Sequence, residues 1–321
     1  MKSKKKGIII LLFMGIIISL ILVEVIIRIH YFGILSLNPI FGKSISYLDY
    51  NQIYILSPNY IDILSNNQLC NTPYELKPNQ NIIHQLVYFS TNNQGFVGKN
   101  YSKIKNPNTK RIIIIGSSFS LPLGINYEES YPRLLEKELN KRGNYEVINM
   151  AVLGNNLENS LTLLKNCGFE YEPDMILFDI NYLEYTLPKK ENNITRISVN
   201  KKNPYLKYWT SFFLYGKIND VNKNRNKIPY DKEKLDEILN EIKKIDNEFN
   251  LTLLVLRRYE SEAFYEYNLL KEKNKDYNFT IIDTASEFGN KSYVLNKLDF
   301  HPNAEAHKLF AQKINKELKN I

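Results

Sequence analysis

The hydrophobic pattern changes period along the chain and divides it into three regimes. Lys2, Lys4, Lys5 and Lys6 precede an apolar run at residues 7–23, which resumes at residues 25–27 after Glu24. At about 1.5 Å per helical residue, twenty-odd such residues span the roughly 30 Å hydrocarbon core of a bilayer, so the pattern predicts a transmembrane helix over residues 7–27. Four lysines before the run, against only Arg28 and Lys43 soon after it, predict a cytoplasmic basic tail at residues 1–6 and an extracytoplasmic remainder. The expected location is the cell membrane, single-pass. A cleaved signal peptide shares the basic start, but this run is long for one. No alanine precedes Ala151, so an A-x-A cleavage site is absent and the anchor is read as uncleaved. Glu24 is read as snorkelling to the interface or pairing with Arg28, one helical turn on.

Residues 28–108 form the second regime. Short apolar pieces such as "IYIL" and "QLVYF" alternate with turn signals such as "SPN", "KPN" and "NNQG", and no helical period is sustained. Short strands and loops are expected, as an extracytoplasmic stalk leading into a small extended subdomain.

From residue 109 to 321 strand-like and helix-like segments alternate. "RIIIIG" has the continuous β-branched run of a strand buried on both faces, and "ESYPRLLEKELNKRG" follows as an amphipathic helix ending at Gly143. Then come "YEVINM" as strand, "NNLENSLTLLKNCG" as helix, "PDMILFDI" as strand and "DKEKLDEILNEIKKIDNEF" as helix. "LTLLVL" and "FTIID" follow as strands, and "HPNAEAHKLFAQKINKEL" is the closing helix. This order predicts an α/β domain with a parallel sheet and helices on both faces, its chemistry at the carboxyl ends of the strands. Residues 185–230 break the alternation with a basic, Asn-rich stretch and the aromatic run "NPYLKYWTSFFLYGKI". They are read as an insertion, a helical hairpin covering the core, with an active-site lid or sugar-stacking platform as the alternative.

The composition of the 321 residues, 44% hydrophobic and 24% charged, excludes a wholly disordered chain. The net charge of +8 follows from 42 basic and 34 acidic residues, and part of it is the amino-terminal lysine cluster. That part reports topology, so no nucleic-acid partner is expected. Two cysteines, Cys70 and Cys167, exclude a disulfide-dense scaffold and a four-cysteine zinc site. A Cys70–Cys167 bond is possible outside the cytoplasm, but a count cannot establish proximity, and two free thiols remain the other reading. No metal-ligand cluster or phosphate-cradling glycine loop occurs, so neither metal nor cofactor is expected.

Candidate chemistry sits at two places. "IIIIGSSFS" runs a strand into Gly116-Ser117-Ser118, where a hydroxyl at a strand end is positioned to meet substrate; the plainer reading of such a serine pair is a helix cap. The G-x-S-x-G elbow is absent, because Ser120 stands where its second glycine belongs. In "LDFHPNAEAH", His301 lies in a turn ahead of a helix, two residues after Asp299, which suits a general base. His307 lies on the apolar face of that helix and is read as a packing or capping residue. His30 is at the membrane boundary and His84 in the stalk.

Taken together these blocks resemble the SGNH hydrolases, the GDSL esterase/lipase superfamily. Gly116-Ser117-Ser118 matches the family's G-D-S, with Ser118 in the nucleophile's place. Gly154 in "INMAVLGNN" matches the oxyanion glycine of the second block. "PDMILFDINY" supplies Asn181 for the third block, and "DFHPN" places His301 as base. The "VEVIIR" anchor end and "NNQGFVG" around Gly95 are also similar to membrane-anchored bacterial members. The chain departs from the family at Ser117 in place of the block-one Asp, at Tyr182 after Asn181, and at Leu298 where the acid usually stands, so Asp299 takes the acid's role. Asp283 and Glu287 are the other nearby acids.

The resemblance implies a flavodoxin-like three-layer α/β/α fold. It also implies a Ser118–His301–Asp299 triad with an oxyanion site formed by Ser118, Gly154 and Asn181. The implied activity is an extracytoplasmic esterase acting on O-acyl esters, with acetyl on a cell-surface glycan as the expected substrate. An O-acyltransferase modifying surface polysaccharide is one alternative. A catalytically silent binding or scaffold protein with an envelope protein partner is the other.

Overall fold

The computed structural model describes residues 2–32, 69–70, 72, 75–84, 87–152, 155–180, 232–257, 265–289, 293–295 and 301–319. The proposed insertion at residues 185–230 lies outside them, as does most of the expected stalk. The apolar amino-terminal run forms helix α1 (Lys2–Phe32), whose segment Lys5–Ile26 is long and apolar enough to cross a membrane. Its side chains from Ile8 to Ile26 are exposed almost throughout, so nothing in the described chain covers them.

Two short strands, β1 (Asn81–His84) and β2 (Val87–Ser90), pair as an antiparallel hairpin. The chain then enters the expected alternation. The elements in order are β3 (Lys110–Ile115), α2 (Tyr131–Leu139), β4 (Tyr145–Asn149), α3 (Leu157–Asn166) and β5 (Met175–Asp179). They continue as α4 (Lys232–Glu248), β6 (Asn250–Val255), α5 (Tyr265–Tyr277), β7 (Thr280–Asp283) and α6 (Ala304–Glu317). The five strands β3 to β7 form one parallel sheet in the order β4-β3-β5-β6-β7. This is the flavodoxin-like strand order, and the resulting three-layer α/β/α sandwich is the fold that the SGNH resemblance implies.

The isoleucine run of β3 is explained by the two cores it feeds. Ile113 and Ile115 pack into a cluster with Leu161 and Leu164 of α3, Leu239 and Ile242 of α4, and Leu270 of α5. Ile112 and Ile114 point the other way, to Tyr131 and Leu135 of α2 and Phe310 and Ile314 of α6. A strand buried on both faces has no use for alternating polarity. A third, smaller cluster of Leu76, Phe89, Val97, Leu121, Leu123 and Ala151 joins the hairpin region to the strand-end loops of the sheet.

Two differences from the sequence reading have physical reasons. The helix expected from about residue 129 starts at Tyr131, because Pro132 suits a first turn where no N–H is needed, and Tyr127–Glu129 form a separate 3₁₀ turn. Helix α5 was not anticipated between "LTLLVL" and "FTIID"; its sequence, YEYNLLKEKNKDY, is mostly polar.

The two cysteines are bonded, so of the two readings the disulfide holds. Cys70 and Cys167 have Cα atoms 5.4 Å apart and lie 97 residues apart in sequence. Cys167 is the C-cap of α3, and Asn166 beside it donates through Nδ2 to the Cys70 carbonyl at 2.9 Å. The bond therefore staples the segment before the hairpin to the end of α3.

Candidate active site

In this strand order the sheet reverses direction at β3, and the crevice beyond the carboxyl ends of β3 and its neighbours is the place where such sheets bind ligands. The turn after β3 occupies it. Ser118, Phe119 and Ser120 form a buried 3₁₀ turn preceded by Ser117. Ser117 does not cap that turn with its side chain, so the plainer reading of the serine pair does not apply.

The ends of the two neighbouring strands, β4 and β5, hold the turn. The N–H of Val152, after β4, donates to the Gly116 carbonyl at 3.0 Å. Asn149, the last residue of β4, donates through Nδ2 to the Ser120 carbonyl at 2.7 Å. Asp179, the last residue of β5, is buried and receives three bonds on Oδ2: the Ser117 N–H at 3.1 Å, the Ser117 hydroxyl at 3.1 Å and the Ser120 hydroxyl at 2.9 Å. The Ser120 and Tyr131 hydroxyls lie 2.8 Å apart, and burial, reinforced by the Asp179 charge, raises the Tyr131 pKa well above its usual value. Ser118 is different. Neither its amide nor its hydroxyl bonds to any described residue, and only its carbonyl is engaged, by the Leu121 N–H at 3.3 Å.

His301 stands next to this turn. Its ring meets Phe119 edge-on with centroids 6.3 Å apart. A short bridge holds its backbone: the Leu295 N–H donates to the His301 carbonyl at 2.9 Å, and Val294 pairs with Pro302. Asn303 then caps α6, its Oδ1 accepting the Ala306 N–H at 3.0 Å. No hydrogen bond joins His301 to the Ser118 hydroxyl; serine–histidine contacts of this kind often tighten only around bound substrate. His307 is fully buried, stacked on Tyr131, and its Nδ1 accepts the Tyr131 N–H at 3.2 Å. Burial and the neighbouring His301 lower its pKa to about 3, so it is a neutral packing residue at ordinary pH.

Of the sequence-derived site residues, the structure thus brings Ser118 and His301 to one end of the sheet. Gly154, Asn181 and Asp299 lie outside the described residues. Asp283 is committed elsewhere: both its oxygens receive the Arg257 guanidinium at 2.7 Å, and Oδ1 also accepts the Ala285 N–H. Asp179 and Asn149 were not anticipated. The signal available for Asp179 was a single charge at the end of an apolar strand, since a buried carboxylate needs hydrogen-bond donors. Next to Gly154, the buried side-chain amide of Asn155 forms no hydrogen bond to any described residue.

No protein-family model matches the sequence, and no curated protein sequence is detectably similar. Among solved structures, the acetyl xylan esterase AlAXEase is similar at 15% identity and a TM-score of 0.43, over 65% of this chain and 99% of that one. The esterase EstA from Pseudoalteromonas sp. is similar at 15% identity and a TM-score of 0.42, over 66% and 97%. A catalytic mutant of Axe2, an acetylxylan esterase from Geobacillus stearothermophilus, is similar at 15% identity and a TM-score of 0.40, over 68% and 96%.

Proposed function

We propose that this chain is a serine esterase of the SGNH type, anchored in the cell membrane by α1 and acting outside the cytoplasm on O-acyl esters, with O-acetyl groups of a cell-surface glycan as its substrate class. The observation that carries the reading is the asymmetry of the serine trio. Ser117 and Ser120 are tied to Asp179, whereas Ser118 between them bonds through neither its hydroxyl nor its amide to any described residue, in a turn whose Phe119 meets His301. A serine that only fills a structural cluster is bonded like its neighbours, whereas a nucleophile keeps its hydroxyl for the base and the substrate.

In this reading the Ser118 Oγ attacks the ester carbonyl carbon and passes its proton to His301, whose tautomer Asp299 fixes. The oxyanion that forms is held by the Ser118 and Gly154 amides and the Asn181 side chain. Collapse of this intermediate expels the alcohol, which takes the proton from His301. Water, deprotonated by His301, then attacks the acyl-serine, releasing the carboxylic acid and restoring Ser118. The lysine cluster and the Cys70–Cys167 bond support an extracytoplasmic site, since disulfides persist mainly in oxidising compartments. The glycan substrate rests on that location and on the family resemblance.

Detergent-solubilised full-length protein should hydrolyse 4-nitrophenyl acetate and release acetate from O-acetylated surface polysaccharide. Ser118→Ala should abolish both with the melting temperature unchanged. A Ser118→Ala protein as active as wild type would refute the assignment.

A further inference from the structure

The carboxylate of Asp179 is the least expected feature of the site. It sits at the end of a strand buried on both faces, in the block that otherwise carries "PDMILFDINY", and it faces the nucleophile turn across the strand-order reversal between β3 and β5. It packs directly on that turn. A Cβ added to Gly116 would fall 2.3 Å from the Asp179 Cβ, so only glycine fits there. Its Oδ2 gathers the Ser117 N–H, the Ser117 hydroxyl and the Ser120 hydroxyl, and Ser120 is braced in turn by Tyr131. The residue before Ser118 and the residue two after it are therefore fixed by one anion from the neighbouring strand.

We infer that Asp179 is the positioning residue of the nucleophile turn, and that it supplies from β5 the carboxylate that Ser117 leaves out of the turn itself. The inference rests on the reading of Ser118 as nucleophile. Hydrogen bonds to an ionised acceptor are roughly twice as strong as neutral ones, and three of them converge here on backbone and side-chain donors flanking a single residue. Their combined effect is to hold the Ser118 amide and hydroxyl in one orientation with no partner among the described residues, the preorganisation that transition-state donors need. Ser117 stands where the resembled family carries its block-one Asp, a turn residue and not a member of the triad. It is the donor that accompanies a carboxylate moved from one side of the crevice to the other.

The test uses full-length protein in detergent and two probes: 4-nitrophenyl acetate for turnover and a fluorophosphonate for covalent labelling, in which the Ser118 Oγ displaces fluoride from phosphorus. Asp179→Asn keeps the shape and removes the charge. It should lower kcat and the labelling rate at least about tenfold, with KM within about twofold and the melting transition still cooperative. Asp179→Gly should lose activity further. The double variant Ser117→Asp with Asp179→Gly returns a carboxylate to the turn and should recover at least about tenfold in labelling rate over Asp179→Gly alone, an effect that a role in stability only would not produce.

Wild-type rates per folded molecule in Asp179→Asn, or no recovery in the double variant while both proteins are folded, would overturn the positioning role and leave Ser118 as nucleophile. If wild type itself is neither labelled nor active, the nucleophile reading fails and the inference falls with it. If Asp179→Gly does not fold, Asp179→Asn and Ser117→Ala decide. Ser117→Ala removes one of the three bonds and should reduce kcat by less than Asp179→Asn, and the reverse order would count against the inference.

Discussion

Nδ1 of His307 accepts the backbone N–H of Tyr131 at 3.2 Å, so the last helix holds the first turn of α2 through a neutral imidazole. The rings stack with centroids 5.8 Å apart, and Phe310 closes the site edge-on. Protonation would remove the acceptor and place a charge in an apolar core, which is why the pKa falls to about 3.

The sign of the pH effect follows. The unfolded chain binds a proton on this histidine near pH 6.5, which the native state refuses until about pH 3. Stability contributed here is intact above about pH 6.5 and is lost as pH falls, by up to about 1.4 kcal/mol per pH unit. Between pH 7 and pH 5 the wild type should lose about 2 kcal/mol more than His307→Gln, as read by urea unfolding of the two proteins. Parallel losses in the two would show that His307 titrates normally.

The Cys70–Cys167 bond closes a 97-residue separation, and by loop-closure entropy its loss should cost about 4 to 5 kcal/mol. Reduction, or Cys70→Ser, should lower the melting temperature accordingly. The same bond reports location. Alkylation of intact cells without reductant, followed by mass measurement, should find both thiols blocked as a disulfide; two alkylated thiols would place the domain in a reducing compartment.

How much of this was legible depends on where the determining partners lie. The strand β3 is readable because four isoleucines in a row serve two cores, and α4 because its apolar positions recur at helical spacing. Helix α5 is not, since Leu270 is its one described side chain that is fully buried and the rest of its sequence reads as solvated surface. Its presence follows instead from β6 and β7 being parallel, which requires a crossover of a dozen or more residues. In the site, Ser118 and His301 stand out because a hydroxyl at a strand end and a histidine in a turn are local signals. Asp179 meets its partners 59 to 62 residues away, and no spacing within one segment encodes that.

Asp283 provides a control for the acid. Its carboxylate pairs with Arg257 through Nε and Nη2, both at 2.7 Å, and the Arg257 guanidinium lies 4.8 Å from the Tyr267 ring centroid. Removing one partner of a largely buried pair leaves the other uncompensated, so Asp283→Ala should destabilise the protein by about 3 kcal/mol. Turnover of the folded fraction at 25 °C should stay within about twofold of wild type, because these oxygens serve the arginine. A stable protein with turnover reduced by orders of magnitude would instead make Asp283 the triad acid.

Asp299 is the acid expected to orient His301, and the turn gives it a clear alternative to be tested against. Acids just before a helix often serve as caps, and a capping Asp299 would contribute about 1 kcal/mol of stability and nothing to turnover. The cap of α6 is already filled: Asn303 accepts the Ala306 N–H at 3.0 Å and donates through Nδ2 to the Val294 carbonyl at 3.2 Å. Asn303→Ala should therefore lower stability by about 1 kcal/mol. Asp299→Asn should leave the melting temperature unchanged and reduce kcat by orders of magnitude, up to about 10⁴-fold by analogy with the best-studied serine triad, because the amide favours the wrong imidazole tautomer. Turnover and melting temperature of these two variants, measured side by side, separate the roles; an Asp299→Asn protein that stays active but melts earlier would remove Asp299 from the triad.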